Sequence, residues 1–199
     1  MKPNEFEYLV DAIKSLPSIG AKNAQKIAYF LLNQDQKYVD DFIARIVNAK
    51  NNIHFCKQCG NFATDELCNI CSSKERDNTK LGIVNNIDEL TKIEATGCFN
   101  GIYFVLNDEI DIAHKRKLKS STINKLVKYC VIKEFKEVLI CTNNTNNGLA
   151  TIIYLENLLK NILHSPKIYK LAIGLPVNSS LDYVDNDTLK IAIKNKTQV

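Results

Sequence analysis

The sequence predicts a multidomain α/β protein: a small all-helical unit, a four-cysteine module, a parallel sheet with helices on its faces, and a short C-terminal segment. Three observations predict this. The first fifty residues carry only helix-period apolar patterns. Residues 54–77 are short of aliphatics and rich in cysteine. From about residue 81, short apolar runs alternate with helical stretches, as strands laid parallel beneath helices would require. Boundaries are expected at 1–53, 54–77, 78–173 and 174–199.

In order along the chain, Phe6, Leu9, Val10, Ile13 and Leu16 give a first helix over 5–16. Pro17 ends it, because its ring and missing N–H cannot continue the ladder. Ala24, Ile27, Ala28 and Leu31 give a second over 21–32, and Val39, Phe42, Ile43, Ile46 and Val47 a third over 37–50. Beyond the cysteines, Leu81–Val84, Ile102–Leu106, Glu137–Cys141 and Ile168–Ile173 read as strands. Ile87–Thr96, Thr122–Tyr129 and Leu149–Ile162 read as helices, with a short last helix at Asn186–Lys194.

The 199 residues are 45% hydrophobic and 24% charged, ordinary for a globular chain, and the net charge of +4 is too mild to prove a polyanionic partner. No apolar run is long enough to span a membrane, and Met1-Lys2-Pro3-Asn4-Glu5 lacks the form of a signal peptide. A cytoplasmic protein is therefore expected. With 23 Lys against 3 Arg, its cations act mostly as point charges rather than bidentate forks. They cluster at Lys115, Arg116, Lys117 and Lys119, a run read either as a solvated loop or as an added contact to a nucleic-acid backbone.

Leu16-Pro17-Ser18-Ile19-Gly20-Ala21-Lys22-Asn23-Ala24 lies between two helices. It resembles the helix-hairpin-helix signature, Leu-Pro-Gly-hydrophobic-Gly, with Ser18 replacing the usual first Gly. The tight turn is expected to need Gly20, and the free N–H groups opening the second helix suit a phosphate whatever the base. Lys22 and Lys26, four apart, share a helix face and add phosphate contacts. The alternative is a plain helical hairpin with a Pro-Gly loop.

The spacing Cys56-x2-Cys59-x8-Cys68-x2-Cys71 sets four thiolates for one tetrahedral Zn2+, with the x8 spacer expected as the connecting hairpin. Four protein ligands leave no open position, so the ion is structural, and its binding supplies folding energy that this core-poor segment lacks. An iron–sulfur site or free thiols are the alternatives. His54 is read as a surface residue rather than a ligand, and Cys98, Cys130 and Cys141 as buried small hydrophobes.

The α/β part resembles a Toprim domain, the fold shared by topoisomerases, primases and some nucleases. Active members place a Glu after the first strand and Asp-x-Asp after a later one, to hold a divalent cation. Here those places carry Asn85 and Cys141-Thr142-Asn143, and neutral amides hold Mg2+ poorly. A metal-dependent nicking enzyme is the disfavoured alternative.

The order of these parts, with Asn144-Thr145-Asn146-Asn147-Gly148-Leu149 and the tail Gly174-Leu175-Pro176-Val177, resembles the RecR family of bacterial recombination mediators from about residue 6 to 195. The resemblance implies a non-enzymatic, nucleoid-associated DNA clamp, a homo-dimer or tetramer ring around duplex or gapped DNA. It implies partnership with RecO, and in many bacteria RecF, in loading RecA. It implies Gly20, Lys22 and Lys26 as DNA contacts, and a Walker-B-like C-terminal segment, 174–199, that joins subunits. No Walker A sequence is present, so ATP hydrolysis is not expected. The family's Val-Glu-Gly-Glu loop reads Asn146-Asn147-Gly148-Leu149 here, which implies an altered RecO surface.

Overall fold

The computed structural model describes residues 3–172, 174, 175, 178 and 180–195. The chain divides into two compact units, 1–53 and 54–199.

The first unit is three helices, α1 (Asn4–Lys14), α2 (Ala21–Leu32) and α3 (Gln36–Asn52). Phe6, Val10 and Ile13 of α1 pack on Ala24 and Ala28 of α2, whose small side chains let the two helices close. Between them the Ile19 amide donates to the Leu16 carbonyl at 3.3 Å, closing a turn with Pro17 and Ser18 at its centre. The left-handed position of this turn is Ser18, at φ 62°, whereas Gly20 is extended (φ −81°, ψ 166°) with open space where a Cβ would stand. The expectation that the turn needs Gly20 is thus corrected. A turn with Pro second and a positive φ third puts its steric demand one residue after the proline. The third helix opens on Asp35, whose carboxylate accepts from the Tyr38 amide at 2.7 Å. None of its residues is buried.

The second unit begins with a two-stranded antiparallel ribbon, β1 (His54–Phe55) and β2 (Phe62–Ala63), and a one-turn helix, α4 (Asn69–Ser72). The ribbon closes round the first knuckle, pairing Phe55 with Phe62, so the hairpin expected in the x8 spacer lies earlier. The reason is local: the Cys56 amide bonds the Asn61 carbonyl at 2.6 Å, and Gly60 at φ 81° turns the chain back before the spacer is half spent.

A four-stranded parallel sheet follows, in the order β4-β3-β5-β6, from β3 (Asp77–Val84), β4 (Gly101–Val105), β5 (Glu137–Cys141) and β6 (Lys167–Lys170). Strand alternation assigns the faces. Leu81, Ile83, Ile102, Phe104, Val138 and Ile140 meet α6 (Ser120–Lys133) and α7 (Asn146–Ile162) through Leu126, Leu155 and Leu159. On the other face Val84, Tyr103, Val105 and Cys141 meet Leu90 of α5 (Ile87–Ala95). β6 is shorter than Ile168–Ile173; Ile173, and Pro176, Val177, Ser179 and residues 196–199 of the C-terminal segment, lie outside the described residues. The last helix, α8 (Asn186–Lys194), opens on Asp185, which accepts from the Asp187 and Thr188 amides.

Candidate nucleic-acid interface and metal centre

In the helical unit Lys22 and Lys26 are both exposed on α2. That helix has no side-chain cap and no acidic residue in its first turn, so its leading amides and the positive end of its dipole face outward. The arrangement suits a phosphate: unused backbone donors with two lysines one turn apart.

In the second unit Cys56, Cys59, Cys68 and Cys71 converge, their four sulfurs all within 4.8 Å of one another and Cys59 3.5 Å from Cys68. A zinc tetrathiolate with Zn–S of about 2.3 Å needs sulfurs about 3.8 Å apart, so the donor set fits. Hydrogen bonding from Cys59 and Cys71 holds the Cys68 thiol far below its usual range, while the same sharing, aided by burial, pushes Cys59 and Cys71 up. Deprotonating Cys59 and Cys71 as well, as a tetrathiolate site requires, calls for a cation. The Cys68 amide lies 3.3 Å from the Cys56 sulfur and the Asn61 amide 3.4 Å from that of Cys59, orienting both. His54 is exposed and bonds the Asp65 carbonyl through Nε2 at 2.7 Å, outside the converging set of sulfurs.

Of the remaining cysteines, Cys130 and Cys141 are buried, and burial pushes both thiols up to about 12. Cys98 is exposed, against expectation. Gly97, at φ 64°, turns the chain out of α5, so Cys98 belongs to a loop rather than to the apolar run after it.

The strand order reverses between β3 and β5, and in open α/β sheets the crevice beyond such strand ends is the natural ligand site. Asn85 and Asn143 stand there. Two carboxylates that the sequence reading missed join them. Glu89 accepts from the Asn85 amide at 2.8 Å and from Asn143 Nδ2 at 3.2 Å, and Glu109 accepts from Asn85 Nδ2 at 3.2 Å. Glu89 carried a sequence signal, Asn86-x2-Glu89 at a helix start, but that signal denotes a cap, and Asn86 does cap α5. Gly148 makes the crevice tight: a Cβ there would lie 1.9 Å from the Asn143 carbonyl oxygen.

The cationic run is not four free charges. Arg116 reaches the buried Asp108 carboxylate at 2.7 Å, and that carboxylate also accepts the Lys119 amide at 2.8 Å. Asp111 and Arg116 form a single antiparallel bridge that closes the loop.

Three family descriptions match in sequence: the RecR helix-hairpin-helix over residues 6–50, the RecR four-cysteine zinc finger domain over 53–73 and the Toprim domain over 80–168. The chain is 46% identical over 199 residues to the Recombination protein RecR of Ureaplasma urealyticum, covering all of this chain and 98% of that one. It is 34% identical over 192 residues to that of Rickettsia typhi, with 96% of each covered. It is 32% identical over 197 residues to that of Finegoldia magna, covering 99% and 98%. A helix-hairpin-helix unit, a four-cysteine zinc finger and a Toprim sheet in one chain define a protein of recombinational DNA repair. The chain belongs to the RecR family.

Proposed function

We propose that the chain is a non-enzymatic DNA clamp of recombinational repair, cytoplasmic and nucleoid-associated. In this reading it acts with RecO, and where present RecF, to load RecA on gapped DNA. The observation that carries it is α2: uncapped leading amides beside exposed Lys22 and Lys26, with no first-turn acid to repel phosphate. Gly20 lets a phosphate approach without a side chain in the way. Cys56, Cys59, Cys68 and Cys71 hold one structural zinc per chain. A homo-oligomer, dimer or tetramer, is supported by α3, where Phe42, Ile43, Ile46 and Val47 are each about half exposed on one helix and call for a covering partner. An altered RecO contact is supported by Asn147 and Leu149, which stand where the resembled loop carries acids and line an apolar hollow with Ile112 and Ile153.

Duplex binding by the full chain tests the clamp. Lys22→Glu with Lys26→Glu is expected to abolish it, and neutral Gln at both positions to cut the salt slope by about 1.8, at about 0.9 per phosphate contact. Unchanged binding by the double Glu variant refutes the hairpin contact. One observation favours the enzyme alternative: Glu89 and Glu109 lie beside Asn85, whose buried Oδ1 has no hydrogen-bond partner among the described residues. Against it, amide donors already occupy those carboxylates. Catalytic nicking of supercoiled plasmid with Mg2+ would favour the enzyme.

A further inference from the structure

A groove of about 730 Å³ runs between the first cysteine knuckle and helix α6, floored by the end of β4. Among the described residues four lysines line it, Lys57, Lys125, Lys128 and Lys133, and no carboxylate does. Lys57 is paired with Glu66, and Lys133 donates to Asn78 at 3.2 Å. Lys125 and Lys128 are exposed and have no partner among the described residues. Being three apart on one helix, they point along the same face. A zinc tetrathiolate carries a formal charge of about 2−; with Lys57 offset by Glu66, the other three lysines still leave the groove positive.

Its floor and lip are aromatic. Tyr129 is buried and accepts from Gln58 Nε2 at 2.8 Å, tying the knuckle to α6. The Val105 amide donates to the Cys59 carbonyl at 2.8 Å, tying the knuckle to the sheet. Both walls are therefore fixed before any ligand arrives. At the lip, Phe55 is 61% exposed and stacked against Phe62, itself 54% exposed, with ring centres 5.8 Å apart. An exposed aromatic pair beside unpaired lysines is the pairing that single-stranded nucleic acid uses: bases stack on a ring while phosphates follow the cations. The volume is that of a small-molecule site, room for a splayed nucleotide rather than a duplex.

We propose that this groove is a second nucleic-acid site, for single strands, with Lys125 and Lys128 on the phosphates and Phe55 as the stacking platform. It does not depend on the hairpin contact of α2. A clamp with both would hold the duplex and the adjoining single strand of a gap at separate places.

The test uses the full, zinc-loaded chain carrying Lys22→Glu and Lys26→Glu, so that the hairpin is silent. The probe is a fluorescein-labelled oligothymidylate of about ten residues. Adding Lys125→Gln and Lys128→Gln is expected to weaken binding at least about fivefold and to lower the salt slope by about 1.4, at about 0.7 per contact for single strands. Phe55→Ala, at an exposed position, is expected to weaken it about tenfold without changing the slope. The chain has no tryptophan, so Phe55→Trp is a clean reporter that stacking should quench. Unchanged oligothymidylate affinity in the lysine variant overturns the proposal. So does a Phe55→Trp signal that an acidic peptide such as polyglutamate alters and oligothymidylate does not, which would make the groove a peptide site. Duplex binding by the parent with Lys22 and Lys26 intact reports the hairpin separately.

Discussion

Asp108→Ala should destabilise the second unit although Asp108 touches neither cysteines nor groove. Its side chain is only 2% exposed and joins two stretches of chain: it accepts from Arg116 at 2.7 Å and from the Lys119 amide, just before α6, at 2.8 Å. The amide bond to a charged acceptor is worth about 1.5–3 kcal/mol. The ion pair adds about 0–1 kcal/mol, because the Arg116 side chain is 54% exposed and water screens it. The expected loss is about 1.5–4 kcal/mol, or about 3–16 °C in Tm at this chain length. Urea and thermal unfolding followed by far-ultraviolet circular dichroism measure it. Lys115→Gln and Lys117→Gln, in the same run, should stay within about 0.5 kcal/mol of the parent. An Asp108→Ala chain as stable as the parent, or a Lys117→Gln loss equal to that of Arg116→Gln, would refute the division of this run into one structural cation and three solvated ones.

At the hairpin, Ser18→Gly should stabilise α1 and α2 by about 0.5–1 kcal/mol by relieving the left-handed residue, and Ser18→Val should do the opposite, read by hydrogen exchange. Gly20→Ala should leave that exchange unchanged and weaken duplex binding, since its backbone is ordinary and the space beside it open. Burial raises the Glu94 carboxyl, but hydrogen bonds from Arg76 and Tyr103 (the latter 2.6 Å) outweigh it and leave the group below its usual value of 4.5. The sign follows: this contribution is complete above pH about 4.5 and fades as pH falls through the lower folded value, and acid titration of Glu94→Gln should lack that component. Metal analysis should find about one zinc per chain, and chelation should melt 54–77 first, seen as lost exchange protection there.

Much of this was legible in the sequence. The helix over 21–32 and the strand over 137–141 follow from period and β-branched content alone, and both stand at those bounds. The four cysteines were legible because ligand spacing is itself a geometric code. β1 and β2 were not, since two residues hold no period. The positive φ at Ser18 was not, because a serine there carries none of glycine's signal. Glu109 reached Asn85 only through strand order and the loop after β4, which no local pattern encodes, while Glu89, four residues from Asn85, carried a signal that denotes only a cap. Cys98 was misread because an apolar neighbourhood in sequence is not burial in space.

The bond from Val105 to Cys59 has a consequence for solubility. β4 is an outer strand of the sheet, and outer strands with bare amides recruit strands from other molecules. The knuckle occupies one of those amides and stands over the strand end, with Gly60 packed beside the Val105 carbonyl in a left-handed conformation that suits glycine. Losing the fold of the cysteine module would therefore uncover an edge with which strands of other molecules can pair.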